Sequence, residues 1–197
     1  MKFRKIIYIN LIFLAFTINA YSNFNTELSG IIAGGGDTGT MYGAGIDFSF
    51  SLDRLYALMY KGYITVRDDK KDSAGTDIDL EYRQMAQMIG IEFYIPVSFL
   101  NENRLLWKNS ICAGYSWTEV SASDSSNKAT VSDSGLTTLV STGLQYVWEQ
   151  HYSPFIDVAY YYSKNNGELS GSNISGYQVY AGIRYSFGSS KPISGEY

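Results

Sequence analysis

The residues from Tyr177 to Phe187, YQVYAGIRYSF, interleave two sequences. Tyr177, Val179, Ala181, Ile183, Tyr185 and Phe187 are apolar or aromatic, while Gln178, Tyr180, Gly182, Arg184 and Ser186 between them are mostly small or polar. A strict period of two means a β-strand with one oily face and one wet face. The fold then turns on whether the oily face points into a protein core or out into hydrocarbon.

Beyond residue 22 no segment shows a helical period, and the alternation recurs instead. It predicts strands over Glu27–Gly35 (where Gly and Ile blur the phase), Met41–Ser51, Leu55–Arg67, Asp77–Val97, Leu105–Val120, Leu136–Gln150, Phe155–Ser163 and Tyr177–Phe187. The fourth changes phase. Ile78, Leu80 and Tyr82 carry the apolar parity first, then Ile89, Ile91, Phe93 and Ile95, and a β-bulge near Arg83–Gln87 would reconcile the halves. The turns after strands two, four and six are short, whereas the segments 68–76, 121–134 and 164–175 read as long polar loops. Short turns at one end and long loops at the other are the asymmetry of a membrane barrel. The expected fold is all-β, an eight-stranded antiparallel up-and-down transmembrane β-barrel.

A secreted lipocalin-like barrel shows the same alternation with its oily face inward, so the wet face decides. On a soluble barrel that face meets bulk water and carries abundant Lys and Glu. Here it carries Gly, Ser, Thr and Ala with about one charge per strand, which suits the crowded interior of an eight-stranded barrel. On the oily face Trp107 and Trp117 sit ten residues apart. At about 3.3 Å per residue and a tilt near 40° they are separated by roughly 25 Å along the membrane normal, the height of an outer-membrane apolar band. Tyr42 with Phe50, Tyr82 with Phe93, and Tyr177 with Phe187 repeat the spacing, and Tyr146, Trp148 and Tyr185 complete the expected aromatic girdles.

The N-terminus reads as an export signal. MKFRK is a basic n-region, a run of about 13 apolar residues follows, and Ala20-Tyr21-Ser22 has the form of a cleavage site. That run is too short to span as a helix. Expected domains are a signal peptide over 1–22, the barrel over 23–187 and a periplasmic tail over 188–197. Without Lys2, Arg4 and Lys5, 12 basic residues stand against 19 acidic. An acidic chain with no basic cluster argues against nucleic acid as a partner. Cys112, the one cysteine, cannot form an internal disulfide and reads as a small packing residue.

The last strand ends Gly182-Ile-Arg-Tyr185-Ser-Phe187, which resembles the insertion signal of outer-membrane barrels. With the export signal and eight strands, the whole mature chain resembles the small outer-membrane barrel superfamily, which includes the transmembrane domain of outer-membrane protein A and the opacity-type surface proteins. That resemblance implies a bacterial outer-membrane location, both ends in the periplasm, and a monomer held by lipopolysaccharide and phospholipid. It also implies delivery by the barrel-assembly machinery and a non-enzymatic surface role, with an extracellular ligand at the loops 68–76, 121–134 and 164–175. A narrow small-solute porin is the alternative. Chains of this kind usually stop at the terminal aromatic, and this one continues for ten residues.

Inward parity gathers charges of both signs: Asp47, Lys61, Glu92, Lys108, Glu149, Asp157 and Arg184. Unpaired, they would be costly, since desolvation takes several kcal/mol per ion. They are expected to form a lumen charge network that either plugs the barrel and sets strand register or lines a constriction. Other chemistry is thin. Asp37-Thr38-Gly39 matches the aspartic-protease triplet, but that catalysis needs two carboxylates, and one copy beside glycines reads as a turn. His151, the only histidine, falls in a periplasmic turn, away from the outer leaflet where lipid A acyl chemistry would need a base. Asn173-Ile-Ser fits a glycosylation triplet of little meaning in a bacterial-type barrel. No metal spacing or phosphate-cradling loop is present, and no cofactor is expected.

Overall fold

The computed structural model of this chain describes residues 24–36, 39–53, 55–73, 76–97, 104–124, 127–148, 151–172 and 174–187. The expected signal peptide over 1–22, the tail over 188–197, and Asp37, Thr38, Glu149 and Asn173 lie outside these residues. Eight strands follow one another: β1 (Phe24–Gly34), β2 (Met41–Ser51), β3 (Tyr56–Ser73), β4 (Thr76–Pro96), β5 (Leu105–Ser123), β6 (Lys128–Tyr146), β7 (Tyr152–Asn165) and β8 (Gly176–Phe187). Each pairs antiparallel with the next, and β1 closes on β8 from Phe24 opposite Phe187 to Gly34 opposite Tyr177. Closure leaves no edge within the wall, so every strand finds its hydrogen-bond partners inside the sheet.

Parity is uniform around the wall. Leu28, Ile64, Ile89, Ile111, Val140, Ile156 and Val179 face outward, and Ile89 is 70% exposed. Glu27, Asp47, Lys61, Glu92, Lys108, Asp157 and Arg184 face inward and are buried. An exterior this apolar, over the full circumference, is a surface for hydrocarbon. At the β1–β2 hairpin the chain reverses through Gly35, Gly36 and Gly39, all at positive φ, which glycine adopts without the steric cost of a side chain.

Two sequence expectations are corrected. β3 to β6 run 18 to 21 residues while β1, β2, β7 and β8 run 11 to 14, so much of the expected loops 68–76 and 121–134 is strand. These segments lost their oily-out alternation because their outer face rises above the lipid. Their backbone still pairs. For the same reason β4 has no bulge near Arg83–Gln87. Its register with β3 is unbroken from Tyr56 opposite Phe93 to Ser73 opposite Thr76, and with β5 from Asp79 opposite Ser123 to Pro96 opposite Leu106. Parity never slips; the environment of the outer face changes. The third expected loop keeps residues 166–175 outside the strands, with 164 and 165 closing β7.

Candidate functional site

Register explains why charges scattered along the chain converge. One row across the sheet reads Arg184, Glu27, Asp47, Lys61 on β8, β1, β2 and β3. A second reads Tyr94, Lys108, Gly143, Asp157, Tyr180 on β4 to β8. Glu92 lies between their levels on β4, opposite Ser110. In a narrow barrel these rows meet across the axis.

Glu27 is the hub. Its carboxylate accepts from Lys108 Nζ at 2.6 Å and from Arg184 Nη1 at 2.9 Å. Arg184 also reaches Glu92 Oε2 at 3.1 Å, donates from Nη2 to Ser49 Oγ at 2.9 Å, and contacts the Tyr94 hydroxyl. Tyr94 donates to Glu92 Oε2 at 2.7 Å. Lys108 adds Asp157 Oδ2 at 3.1 Å and Glu92 Oε1 at 3.6 Å, and Lys61 pairs with Asp47. Three ring faces back the cations: Tyr180 under Lys61, Phe155 under Lys108 and Tyr94 under Arg184, at 4.4, 4.2 and 5.2 Å. Gly143 leaves the room that this layer needs, because a Cβ there would run into the Ile156 carbonyl and the Asp157 side chain.

Of the seven charges read from sequence, six belong to this layer; Glu149 lies outside the described residues. Glu27 was missed. Gly30, Ile31 and Ile32 blurred the phase of β1, and an expected start at Glu27 hid Phe24 and Asn25, which restore it. Glu92, Lys108 and Arg184 are 0%, 1% and 1% exposed, so the layer is shut. Above it lies an apolar cluster that includes Ile31, Met41, Met59, Met88, Cys112, Leu139 and Tyr161, and below it a floor of Tyr94, Leu106 and Val147. Cys112 packs its Sγ against Met59 Sδ at 3.4 Å.

Outside, the aromatics fall into two rings. Phe50, Phe93, Trp107, Tyr146, Trp148, Tyr185 and Phe187 gather toward the end of the short turns, and Tyr42, Trp117 and Tyr177 toward the other. Tyr82 is a correction: the unbroken parity of β4 turns it inward, where it packs against the lumen cluster and under Arg67 at 5.7 Å. The lower wall carries an apolar groove of about 650 Å³ lined by Phe24, Phe48, Phe50, Leu58 and Ile91. His151 sits at the lower end, its Nδ1 2.9 Å from the Ser186 carbonyl oxygen and its ring stacked on Tyr185, so it clasps the last turn to β8. Among the described residues no His, Cys, Asp or Glu cluster could hold a metal ion.

Solved structures share this architecture. The chain matches the attachment invasion locus protein Ail of Yersinia pestis with a TM-score of 0.54 and 16% identity, over 84% of this chain and 97% of that one. It matches the outer membrane protein OprG of Pseudomonas aeruginosa with a TM-score of 0.54 and 12% identity, over 85% and 97%. This is the fold of the small eight-stranded outer-membrane barrels. No protein-family model matches the sequence, and neither does any curated protein.

The barrel stands higher on one side than on the other. The tops of β3 to β6 rise above the upper aromatic ring as a four-stranded sheet while the opposite wall stops short. Its outer face is polar: Arg83 pairs with Glu81 at 2.7 Å, Lys70 faces Asp79 at 3.7 Å, and Ser121 bonds Thr130 at 2.9 Å. The β7–β8 connection leans on its β6 margin. The carboxylate of Asp133 accepts from the amides of Ser134 and Gly167 at 2.7 Å each and of Leu169 at 3.1 Å. Partial desolvation pushes that carboxyl up, but the amides of Ser134, Gly167, Leu169 and Asn166 outweigh it and hold the group below its ordinary value.

Proposed function

We infer that this protein is a monomeric barrel of the bacterial outer membrane with a non-enzymatic, surface-interaction role. In this reading the short turns and both chain ends lie in the periplasm, and the raised sheet and the 166–175 connection face the exterior. The apolar wall between two aromatic rings supports residence among phospholipid and lipopolysaccharide, and Gly182, Tyr185 and Phe187 at the end of β8 support delivery by the barrel-assembly machinery. The Ail of Yersinia pestis has been crystallised with the heparin analogue sucrose octasulfate. That fold-mate lends support to an extracellular ligand here, although the acidic raised sheet of this chain does not favour a polyanion.

One observation carries the reading: the ion layer around Glu27, Lys108 and Arg184 is buried from both ends, which leaves the loops and raised sheet, rather than a conduit, as the exposed working surface. Burying charge is costly unless each ion is paired and hydrogen-bonded, and every cation of this layer meets at least one carboxylate. The sequence-level porin alternative needs a water-filled path that the closed layer does not provide. Reconstitution into planar bilayers tests it. The expected trace shows no stepwise current, and steady unitary steps abolished by Lys61→Ala or Arg184→Ala would replace the surface role with a pore.

A further inference from the structure

Phe48 breaks a rule that the rest of the outer wall obeys. Its parity on β2 turns it outward with Ile46 and Phe50, yet it is 8% exposed while those two are open to the lipid. Neighbouring rings cover it. Phe24 of β1 stacks on Phe48 with centroids 5.9 Å apart and planes 13° from parallel, and Tyr60 of β3 stacks on it at 6.3 Å and 24°. Ring pairs in this range of separation attract beyond their buried area, which holds the three in one arrangement. Beside the stack opens the groove of the lower wall, about 650 Å³, with Leu58, Ile89 and Ile91 along its other margin. Ser49, Met59 and Gly90 line it as well, although they form one inward-facing rung, so its floor is the backbone of β2, β3 and β4.

Register fixes the direction in which the groove runs. The rung that starts at Phe24, the foot of β1, passes Phe50, Leu58 and Ile91 on β2 to β4 and comes out at Tyr177 near the top of β8. One circuit therefore climbs the whole apolar band, about 25 Å. The three steps from Phe24 to Ile91 cover about 14 Å along the rung and rise roughly 9 Å at a strand tilt near 40°. That course begins at the lower aromatic ring and points toward the centre of the bilayer, as an acyl chain does when its headgroup lies at the lower surface. The groove is continuous with the lipid-facing wall, and no charged side chain lines it, so hydrocarbon is what covers it. Within hydrocarbon a chain gains nothing by leaving water, and preference rests on packing. A chain in the groove meets fixed ring faces and backbone, and those contacts are individually small but many. The volume lies in the range of about 300–1,000 Å³ that suits one small-molecule site. We propose that this groove seats one acyl chain of a phospholipid of the periplasmic leaflet as a resident lipid. The leaflet rests on the orientation inferred above, with the short turns in the periplasm; lipopolysaccharide belongs to the opposite leaflet, at the upper ring.

The test is native mass spectrometry of the full barrel, extracted from a bacterial outer membrane in mild detergent, which reads each bound lipid by its mass. One phospholipid should remain on the barrel after the detergent has been stripped by collision. Leu58→Trp fills the groove and should cut that one-lipid fraction about tenfold. Ile111→Trp, on the same rung one strand beyond the groove, should leave it unchanged. Palmitoyl lysophosphatidylethanolamine added to the delipidated wild-type barrel should restore a single adduct, because the groove takes one chain. Heat-modifiable gel migration verifies that each variant is folded, and Ile91→Trp serves if Leu58→Trp does not fold. Four results would each overturn the seat: no phospholipid retained, retention indifferent to the groove variants, a groove-dependent adduct with the mass of lipid A, or paired barrels whose contact is lost with Leu58→Trp. None of these outcomes bears on conductance, which alone decides between surface protein and pore.

Discussion

Arg184 shows how one side chain holds a barrel together. It touches Glu27 across the seam, Glu92 and Tyr94 across the axis, and Ser49 on β2. Arg184→Met would strand Glu27 and Glu92 beside too few cations. Breaking a buried pair from one side costs about 3–5 kcal/mol, and urea titration of the barrel folded into vesicles should show a loss of that order. Adding Glu27→Gln should recover part of it, because the two changes act on one network. Asp133 carries a pH prediction outside the membrane. Its carboxyl is depressed by backbone amides, so the ionised form favours the pinned connection. That contribution is present above the ordinary carboxylate range and is lost as pH falls below about 4. The protection factors of the Gly167 and Leu169 amides, measured by NMR exchange and normalised to the intrinsic rate at each pH, should fall on acidification. Asp133→Ala should produce the same loss of protection at neutral pH.

At the scale of the strand, β4 separates parity from polarity. Its even-numbered residues face inward from Ile78 to Tyr94 without a slip. What changes at about Arg83 is the medium outside, from water above to hydrocarbon below, so apolar residues move from the inner face to the outer one. Spin labels read this directly. A label at Ile89 or Ile111 should be relaxed by oxygen dissolved in the bilayer, and one at Asp79 by a water-soluble nickel chelate. A label at Leu80 more exposed to lipid than one at Asp79 would restore the bulge. Sequence reading went astray here because it took apolar alternation as a property of the strand, when it reports what each face touches. It shortened β3, β5 and β6 for the same reason.

As a whole, the molecule joins a closed wall to a raised half-cylinder. These two parts need not share stability. Asp68 sits opposite Glu81, so replacing residues 69–80 with Asn-Gly gives a two-residue hairpin turn at that rung. The shortened chain should still insert and migrate heat-modifiably, with its urea midpoint little changed, because the ion layer and the lipid-facing wall are untouched. Loss of folding instead would mean that the raised sheet is part of the core.

The eight alternating segments, the inward parity of Asp47, Lys61, Lys108 and Arg184, and the aromatic spacing of β5 were all legible along the chain, because side-chain direction in a strand depends only on position modulo two. Which charges would meet was not. Glu27 and Arg184 are 157 positions apart, and only the closure of β1 on β8 sets them in one row. Strand height was equally hidden, since a polar pair above the membrane makes the same backbone hydrogen bonds as an apolar pair within it. Parity is local and belongs to the sequence; register, closure and depth in the bilayer are relations between distant segments, and the tertiary structure alone decides them.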